Sequence, residues 1–416
     1  MKWPIIPIFL LFGSLWVSAA PLPPGPWNQP PPLGAPKGKV VKVKAGDAAD
    51  LVAKTREAKS DTTIVVPKGE YLLSSPMRIG MKGPVKNVVL RGATGKREDV
   101  VIRGPGMKKD TSKTVPHCLM IENAVDVVVA DLSIGDVWFH PITVQSGAGA
   151  QRPHIRNVRL FDAGEQFLKV NSPGDHPKRG CDGGIVEYCV FEYTTMARHW
   201  YTEGVDVHRG DNWIVRDNLF RNIRGPAGAK NIGGAIDFWN NARKPLIERN
   251  VIYNCAVGIR VGINDKKGFH DCEDAIVRNN LIVRQKGQCH WQDVGIMVAD
   301  CPNAQVLHNT VFLDGTYANP IEYRFPATQN TVIRGNVLDG NIRQRDGAGG
   351  KVSDNLDKAK ADWFEDILAG DGHLVRRAPP IGAIRKAIEG VEKDIDGHKR
   401  PSLGKQDAGC DHFGSR

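Results

Sequence analysis

A short pattern recurs along the sequence, with an apolar residue, two polar residues, an asparagine and a second apolar pair in each copy. The asparagines are Asn218, Asn250, Asn280, Asn309, Asn336 and Asn355, and earlier copies place Leu132, Val158 and Cys189 in the same slot. Successive asparagines are 32, 30, 29, 27 and 19 residues apart, close to one turn of a solenoid with loops of varying length. Identical polar side chains form such a column when each amide hydrogen-bonds to the next. The repeat therefore predicts stacked coils joined by an asparagine ladder.

A second pattern, apolar–variable–apolar, occurs once between successive slots. Its copies are ITV (142–144), LKV (168–170), VDV (205–207), IDF (236–238), IRV (259–261), IMV (296–298) and IEY (321–323). In a strand the two flanking residues point inward and the middle residue points outward. The alternation favours parallel strands stacked about 4.8 Å apart. No WD-like or LxxLxL signature supports a β-propeller or a leucine-rich solenoid.

Caps are expected at both ends of the stack, because an open coil end is an unpaired strand edge. At the N-terminus we predict the strand VVKVKAG, an amphipathic helix from Asp47 to Lys59 and the strand TTIVVPKGEYLL. At the C-terminus we predict short helices over 361–369 and 381–393, followed by a polar tail.

The two ends also carry a family resemblance. PKGEYLL (67–73) resembles the opening, and DIDGHKRPSLGKQDAGCDHF (394–413) the ending, of many exported β-helix proteins. With the asparagine repeats, residues 38–413 resemble the pectate-lyase-like superfamily. The resemblance implies an all-β fold, a right-handed parallel β-helix with an N-terminal capping helix, short C-terminal helices and a tail.

The predicted organisation has five parts. They are a signal peptide (1–19), a Pro-rich linker (20–37), an N-terminal cap and first coil (38–80), the β-helix (81–356) and a C-terminal cap and tail (357–416). Lys2, an apolar run from Ile5 to Val17 and the small residues after it have the layout of an export signal, and the run is too short to span a membrane. Eight prolines within 21–37 predict an extended linker with little that could pack. We therefore expect a secreted or periplasmic protein, and the caps and the charged surface favour a monomer.

The net charge indicates the class of ligand, and the cysteine content indicates which disulfides could form. A net charge of +10 behind an export signal favours an anionic glycan rather than nucleic acid. The eight cysteines permit disulfides in an exported chain. Cys272 with Cys289 or Cys301, and Cys181 with a neighbour, are candidate pairs, and no group has zinc-ligand spacing.

The middle residues of the second strand predict one outward stripe. They are Thr143, Lys169, Asp206, Asp237, Arg260, Met297 and Glu322, and two positions further on come Gln145, Asn171, His208, Trp239, Gly262, Ala299 and Arg324. A solvated face with ordinary cross-strand ion pairs is one interpretation. A binding cleft is the other, walled by loops 171–183 and 264–274 and by segment 197–204, which offers His199, Trp200, Tyr201 and Glu203. His140, His154, His176 and His290 are interpreted as surface or loop residues, and Glu322 with Arg324 as a surface pair.

The resemblance implies that a polysaccharide lies along this face, and that the activity is β-elimination of an acidic, uronate-containing polymer by a carbon–oxygen lyase. Such a reaction needs neutralisation of the sugar carboxylate and a base for the C5 proton. Asp206, Asp237 and Glu203 are predicted to hold Ca²⁺. Lys169 or Arg260 would be the base, with His208 or Tyr201 as the acid or alternative base. Trp239, Asn171, His199 and Arg324 are predicted to bind the substrate.

Two alternatives stay open at this point, because the sequence has neither a WiDH-type lyase run nor the paired aspartates and GHG of polygalacturonases. Asp206 and Asp237 could be the acid and base of a glycoside hydrolase, although neighbouring rungs are about 4.8 Å apart and inversion usually needs carboxyls about 6.5–9.5 Å apart. The chain could also be a non-catalytic glycan-binding or envelope-associated protein. No nucleotide, haem or redox cofactor is indicated.

Overall fold

The computed structural model describes residues 23, 25–172, 174, 180–265 and 268–413. The predicted signal peptide (1–19), His176 and parts of the loops 171–183 and 264–274 lie outside the described residues. In the described part, most strands pair in parallel with the strand one coil earlier and one coil later. This stacking confirms the predicted parallel β-helix.

Two long sheets form the walls of the coil. The larger sheet contains Lys39–Lys42, Thr62–Val66, Gly69–Leu72, Val88–Gly92, Val100–Arg103, Val128–Val137, His154–Ala163, Ile185–Glu187, Val190–Glu192, Ile214–Arg216, Leu219–Arg221, Leu246–Glu248, Val251–Tyr253, Ile276–Arg278, Leu281–Val283, Gln305–Leu307, Thr310–Phe312, Thr331–Arg334, Val337–Leu338 and Gly350–Ser353. The smaller sheet contains Met77–Ile79, Leu119–Glu122, Ile142–Gln145, Leu168–Asn171, Val205–His208, Ile236–Trp239, Ile259–Val261, Ile296–Ala299, Ile321–Arg324 and Ile342–Gln344. We call the smaller sheet the site sheet.

The remaining elements are short. Two-stranded pairs are formed by Val85–Lys86 with Ala124–Val125, by Ala242–Arg243 with Cys272–Glu273 and, antiparallel, by Phe364–Asp366 with Asp371–Leu374. The α-helix is Ala48–Arg56, and 3-10 helices cover Pro26–Asn28, Arg97–Asp99, Ser146–Ala148, Ala361–Trp363 and Ile367–Ala369. No helix in the described chain is long and apolar enough to cross a membrane.

The asparagine repeat marks a sharp bend within the larger sheet. The residue before each ladder asparagine has a positive φ, as Asp217 (58°) and Asn279 (53°) illustrate, a conformation that asparagine and aspartate tolerate better than most residues. Each asparagine except the last, Asn355, then donates its side-chain Nδ2 to the asparagine of the next rung. Asn250 donates to Asn280 Oδ1 at 3.0 Å, and Asn280 donates to Asn309 Oδ1 at 3.0 Å. The predicted ladder is confirmed, and it satisfies buried backbone groups where the chain turns.

The N-terminal cap is also confirmed. The helix Ala48–Arg56 begins after Asp47, whose side chain accepts a hydrogen bond from the Asp50 amide at 2.9 Å. Leu51 and Val52 are buried on the face that joins the core of the solenoid. The helix therefore closes the first coil.

The C-terminal prediction is correct for one stretch and wrong for the other. Residues 361–369 contain two short 3-10 helices around a strand, whereas 381–393 has turns and no helix. This second stretch is held by its contacts instead: Ile384, Ile388 and Val391 pack in a second apolar cluster outside the coil. Local periodicity was outweighed by tertiary packing.

The described part of the Pro-rich segment begins with the 3-10 helix Pro26–Asn28 and then has no regular secondary structure. The expectation that little of it packs is wrong. Trp27 is buried in the second apolar cluster beside Val251 and Leu281. Further along, the Pro31 carbonyl accepts a hydrogen bond from Arg156 at 2.6 Å, and the Gly34 carbonyl accepts one from Arg91 at 2.7 Å. The segment crosses several coils of the larger sheet because proline carbonyls remain available as acceptors.

The suggested disulfides are not formed in the structure, where all eight cysteines carry free thiols. Cys272 and Cys301 belong to the buried core, and their side chains lie within hydrogen-bonding reach of one another. They pack as small apolar residues.

Candidate functional site

The predicted stripe is assembled in the predicted register. Lys169 pairs with Asp206, Asp206 with Asp237, and Asp237 with Arg260 on consecutive strands of the site sheet. The interpretation of the stripe as a solvated face is nevertheless wrong at its centre, because Asp206 and Asp237 are 0% exposed. Lys169 and Trp239 contact Asp206, and Arg260 contacts Asp237, so that neighbouring side chains surround both carboxyl groups. We call Lys169, Glu203, Asp206, Asp237 and Arg260 the site cluster.

Asp206 is held by two donors. Lys169 Nζ donates to its Oδ2, and the Trp239 indole Nε1 donates to Oδ1 at 2.8 Å. His208 continues the arrangement outward: its Nε2 lies 3.0 Å from Lys169 Nζ and 3.4 Å from Asp206 Oδ1. The His208 and Trp239 rings contact edge to face, with centroids 4.2 Å apart. Asp206 thus orients three groups at the partly exposed edge of the site.

Asp237 is the counterpart at the other end. Arg260 donates to both of its oxygens, with Nε to Oδ1 at 2.8 Å, and the Gly234 amide donates to Oδ2 at 3.0 Å. Arg260 Nη2 also reaches Glu203 Oε1 at 3.3 Å. This bidentate pairing fixes Arg260 in the cluster.

The glycine pair Gly233–Gly234 makes room for these carboxyl groups. A Cβ on Gly233 would lie 1.9 Å from Glu203 Cγ, and a Cβ on Gly234 would lie 2.2 Å from Asp237 Oδ1. The sequence analysis did not assign this role to the two glycines. Two adjacent glycines directly before a strand of the repeat were the available signal.

The charges of the cluster set the protonation states. Burial alone would lower the pKa of Lys169, but Asp206 and Glu203 raise it above its usual value. Burial also opposes the charge on Arg260, whose pKa Asp237 raises. For Asp206, burial would raise the pKa, whereas Lys169 and His208 bring it well below the usual range. Lys169 and Arg260 are therefore held as cations, which makes them poor bases.

The segment before Asp206 forms one wall of the site. Arg198 stacks over the Trp138 ring, with its guanidinium carbon 3.5 Å from the ring centroid. Trp200 is 52% exposed and contacts the Tyr201 ring at a centroid distance of 5.3 Å. Burial raises the pKa of Tyr201, although nearby Lys169 opposes this shift. Tyr201 therefore remains a protonated phenol beside Lys169.

A buried polar column beside the stripe was missed. It occupies the position two residues before four consecutive site-sheet strands and contains His117, His140, Gln166 and Glu203. The His117 and His140 rings stack at 4.9 Å, and His140 Nδ1 lies 3.1 Å from the Gln166 carbonyl. Burial lowers the pKa of His117 to about 4. His140 lies in a loop between two strands, as interpreted from the sequence, but it is buried and not on the surface. Aligning the residues that precede each strand would have revealed the column.

The remaining predicted ligand-binding residues fall into two groups. Asn171 donates to Gln145 Oε1 at 3.2 Å on the strand next to His208, and His199 Nδ1 accepts from the Tyr201 amide at 3.0 Å. Arg324 lies four rungs beyond Asp206, on the order of 20 Å along the stack. It pairs with Asp346 at 2.9 Å, while Glu322 pairs with Arg345. The structure therefore does not bring Arg324 to the site cluster, and the predicted Glu322–Arg324 pair is wrong.

The three carboxyl groups do not fit a calcium ion. Ca²⁺ takes about six to eight oxygen ligands, but the oxygens of Asp206 and Asp237 already accept hydrogen bonds from Lys169, Trp239, Arg260 and Gly234. In the described chain, the places where three ligand atoms lie within 4.8 Å of one another are both C-terminal. They are His373 with Asp396 and Asp411, and Asp394 with Asp396 and His398.

Comparison with known proteins agrees with this architecture. The family model for the right handed beta helix region matches residues 144–357, more than half of the chain. No curated protein matches the sequence. The tailspike protein of E. coli bacteriophage HK620, solved with a pentasaccharide, has a TM-score of 0.50 at 13% identity, covering 77% of this chain and 60% of its own. This likeness supports the fold alone.

Two further solved structures are polysaccharide lyases. Pectate lyase Pel9A has a TM-score of 0.47 at 12% identity and covers 90% of this chain and 97% of its own. The alginate lyase from Paenibacillus sp. str. FPU-7 has a TM-score of 0.45 at 15% identity and covers 75% of this chain and 99% of its own.

Proposed function

Since the chain belongs to the right-handed β-helix family, we propose that it is an exported lyase that cleaves an acidic, uronate-containing polysaccharide by β-elimination. The leader-like N-terminus supports a location outside the cytoplasm. The capped solenoid supports a monomeric protein.

One observation carries this proposal: Lys169, His208 and Tyr201, three groups able to hold or move protons, lie together at the partly exposed edge of a buried cluster. Lys169 Nζ lies 3.0 Å from His208 Nε2. The Tyr201 phenol is close enough to Lys169 for each group to affect the pKa of the other. An imidazole is the side chain best suited to accept a proton near neutral pH. A phenol that stays protonated is suited to donate one.

These positions suggest a division of roles. The Lys169 ammonium neutralises part of the charge of the sugar carboxylate, which makes the C5 proton more acidic. His208 removes that proton, and the electron pair forms the C4–C5 double bond while the C4–O bond breaks. Tyr201 gives its proton to the departing oxygen. Arg260 does not act as the base, because Asp237 holds it as a cation; it fixes Asp237 and Glu203 in place.

Aromatic residues beside the cluster support a sugar-binding face. Trp200 is 52% exposed, and the flat face of an exposed indole is a stacking surface for a sugar ring. Trp239 adds a partly exposed ring beside His208. A polymer lying along the site sheet would contact both rings while its uronate reaches Lys169.

The hydrolase alternative has less support. Asp206 and Asp237 are fully buried, and their oxygens are occupied by donors from the protein itself. Neither carboxyl group is placed to protonate a glycosidic oxygen or to activate a water. The glycan-binding alternative predicts retention of the polymer without turnover.

The test is an absorbance assay at about 235 nm, where an unsaturated uronate absorbs, on a panel of anionic polysaccharides. A rising signal on one polymer supports elimination. New reducing ends without absorbance would instead favour hydrolysis. Binding with neither signal would favour the non-catalytic alternative and reject the lyase.

A further inference from the structure

One oxygen of Glu203 has no donor. Its Oε1 accepts a hydrogen bond from Arg260 Nη2 at 3.3 Å, but Oε2 is buried and receives no hydrogen bond from any group in the described residues. A buried carboxylate oxygen without a donor costs free energy on the order of 1–3 kcal/mol or more. An oxygen that carries a proton becomes a donor itself and avoids this cost.

Asp206 is the acceptor within reach. The Glu203 and Asp206 carboxyl groups are within hydrogen-bonding distance, and Asp206 is fully buried. Two ionised carboxylates this close in a buried site repel strongly, and a shared proton removes the repulsion. We propose that Glu203 carries a proton that it donates to Asp206, and that this acid–carboxylate pair occupies the place that a divalent cation would take among three carboxylates.

The charge balance of the site agrees with this assignment. With Glu203 neutral, the cations Lys169 and Arg260 face the anions Asp206 and Asp237, so the positive and negative charges are equal in number. An ionised Glu203 would leave one anion in excess in a buried site, which is costly. Burial, followed by Asp206 and Asp237, raises the pKa of Glu203 well above its usual value, and Arg260 opposes this shift only in part.

The role of Glu203 is positional. It supports Asp206, which in turn orients Lys169 and Trp239. Tyr201 and Lys169 are the other titratable groups that face Glu203 across the site, and both have raised pKa values, so they keep their protons at neutral pH. Because the pKa of Glu203 is raised on folding, the stability of the cluster falls as the pH rises from the unfolded value of about 4.5 towards the folded pKa.

The first experiment needs no substrate. The melting temperature Tm of wild-type protein, Glu203→Gln and Glu203→Ala is measured by circular dichroism from about pH 6 to about pH 10. Glutamine mimics the protonated acid, so we expect Glu203→Gln to lose the alkaline fall that the wild-type protein shows, a difference of roughly 2–4 °C. Glu203→Ala should melt lower at every pH because it leaves a cavity. Parallel wild-type and Glu203→Gln profiles would overturn the proposal.

A second measurement covers the case in which Glu203→Gln does not fold. The infrared spectrum of the wild-type protein at neutral pH should contain the carbonyl band of a protonated carboxylic acid, and its absence would overturn the proposal. A third readout rests on the proposed function. The lyase rate should lose its alkaline decline in Glu203→Gln and drop at every pH in Glu203→Ala. An inactive protein would reject the lyase, whereas the melting and infrared results would still decide the proton on Glu203.

Discussion

Charged residues on consecutive rungs occur on both sheets, in different order. On the larger sheet Glu187, Arg216, Glu248 and Arg278 alternate in sign, and each arginine pairs with a glutamate at 2.8 Å. We call this set the ion-pair ladder. On the site sheet two aspartates occupy adjacent rungs, with Lys169 and Arg260 outside them.

The difference separates structural charge from functional charge. Alternating charges stabilise neighbouring strands, whereas like charges directly opposite one another destabilise them. Cross-strand pairing of opposite charges therefore accounts for the order of residues in the ion-pair ladder. Cross-strand pairing does not account for the adjacent Asp206 and Asp237, which have the same charge. Lys169, Arg260 and Trp239 donate hydrogen bonds to them and offset their repulsion. Such costly arrangements are typical of functional sites.

Substitution of two histidines, one beside each set of charges, should give the largest difference in catalytic rate. His208 lies beside Asp206, and His154 lies beside Glu187 of the ion-pair ladder at 3.0 Å. We expect His208→Ala to lower kcat by about 10²–10⁴-fold, the usual effect of removing a general base, and His154→Ala to leave it unchanged. Initial rates on the polymer that the wild-type protein cleaves measure both. Equal effects of the two substitutions would remove the distinction between the sheets.

Stability should also differ between the two sets. Asp237→Asn leaves the Arg260 cation buried without its partner, and we expect it to lower the free energy of unfolding by about 3–5 kcal/mol. Glu248→Gln removes one partner of Arg278, whose side chain is 20% exposed, and one partner of Arg249, which keeps its bidentate pairing with Asp217. It should therefore cost only about 1 kcal/mol. Urea denaturation followed by circular dichroism compares them. A larger loss in Glu248→Gln would contradict the account.

Acid should destabilise the ion-pair ladder, whereas alkali should destabilise the site cluster. Burial would raise the pKa of Glu187, but His154 and Arg216 lower it to about 2. A depressed pKa contributes stability that is present above the unfolded value of about 4.5 and is lost as the pH falls towards 2. Glu187→Gln should therefore flatten the fall in Tm on the acid side and leave the alkaline side unchanged. A change in Tm on the alkaline side, with none on the acid side, would contradict the assignment of the acid-sensitive charge to Glu187.

Chelation should have the smallest effect. The carboxylate oxygens of Asp206 and Asp237 already accept protein donors, so we expect the rate to change less than about twofold when EDTA replaces added Ca²⁺. Activity assays in either buffer measure this. Complete loss in EDTA, restored by Ca²⁺ alone, would contradict the assignment of a proton to Glu203.

The sequence sufficed for the coil and for the register of the stripe. The asparagine slots and the apolar–variable–apolar strands have fixed spacing, and stacking turns that spacing into contacts such as Lys169 with Asp206. The burial of the individual side chains could not be predicted from the repeat. Burial of Asp206 depends on Trp239 and on the segment containing Tyr201, whose path no repeat specifies.

The same limit explains the other errors. Arg324 shares its strand position with His208 but lies several rungs away, where Asp346 binds it. Trp27 stands alone among prolines, and only the three-dimensional structure reveals the apolar cluster that buries it. His140 gave no periodic signal of its own until the residues two positions before each strand were placed in one column.

The most direct test compares Lys169→Met with Arg216→Met, one cation from each set of charges. Both variants are first checked by circular dichroism for native strand content, and the formation of unsaturated product is then followed at about 235 nm. The account predicts that Lys169→Met loses at least about a hundredfold in rate and that Arg216→Met matches the wild-type protein. A folded Lys169→Met variant with wild-type activity would contradict it.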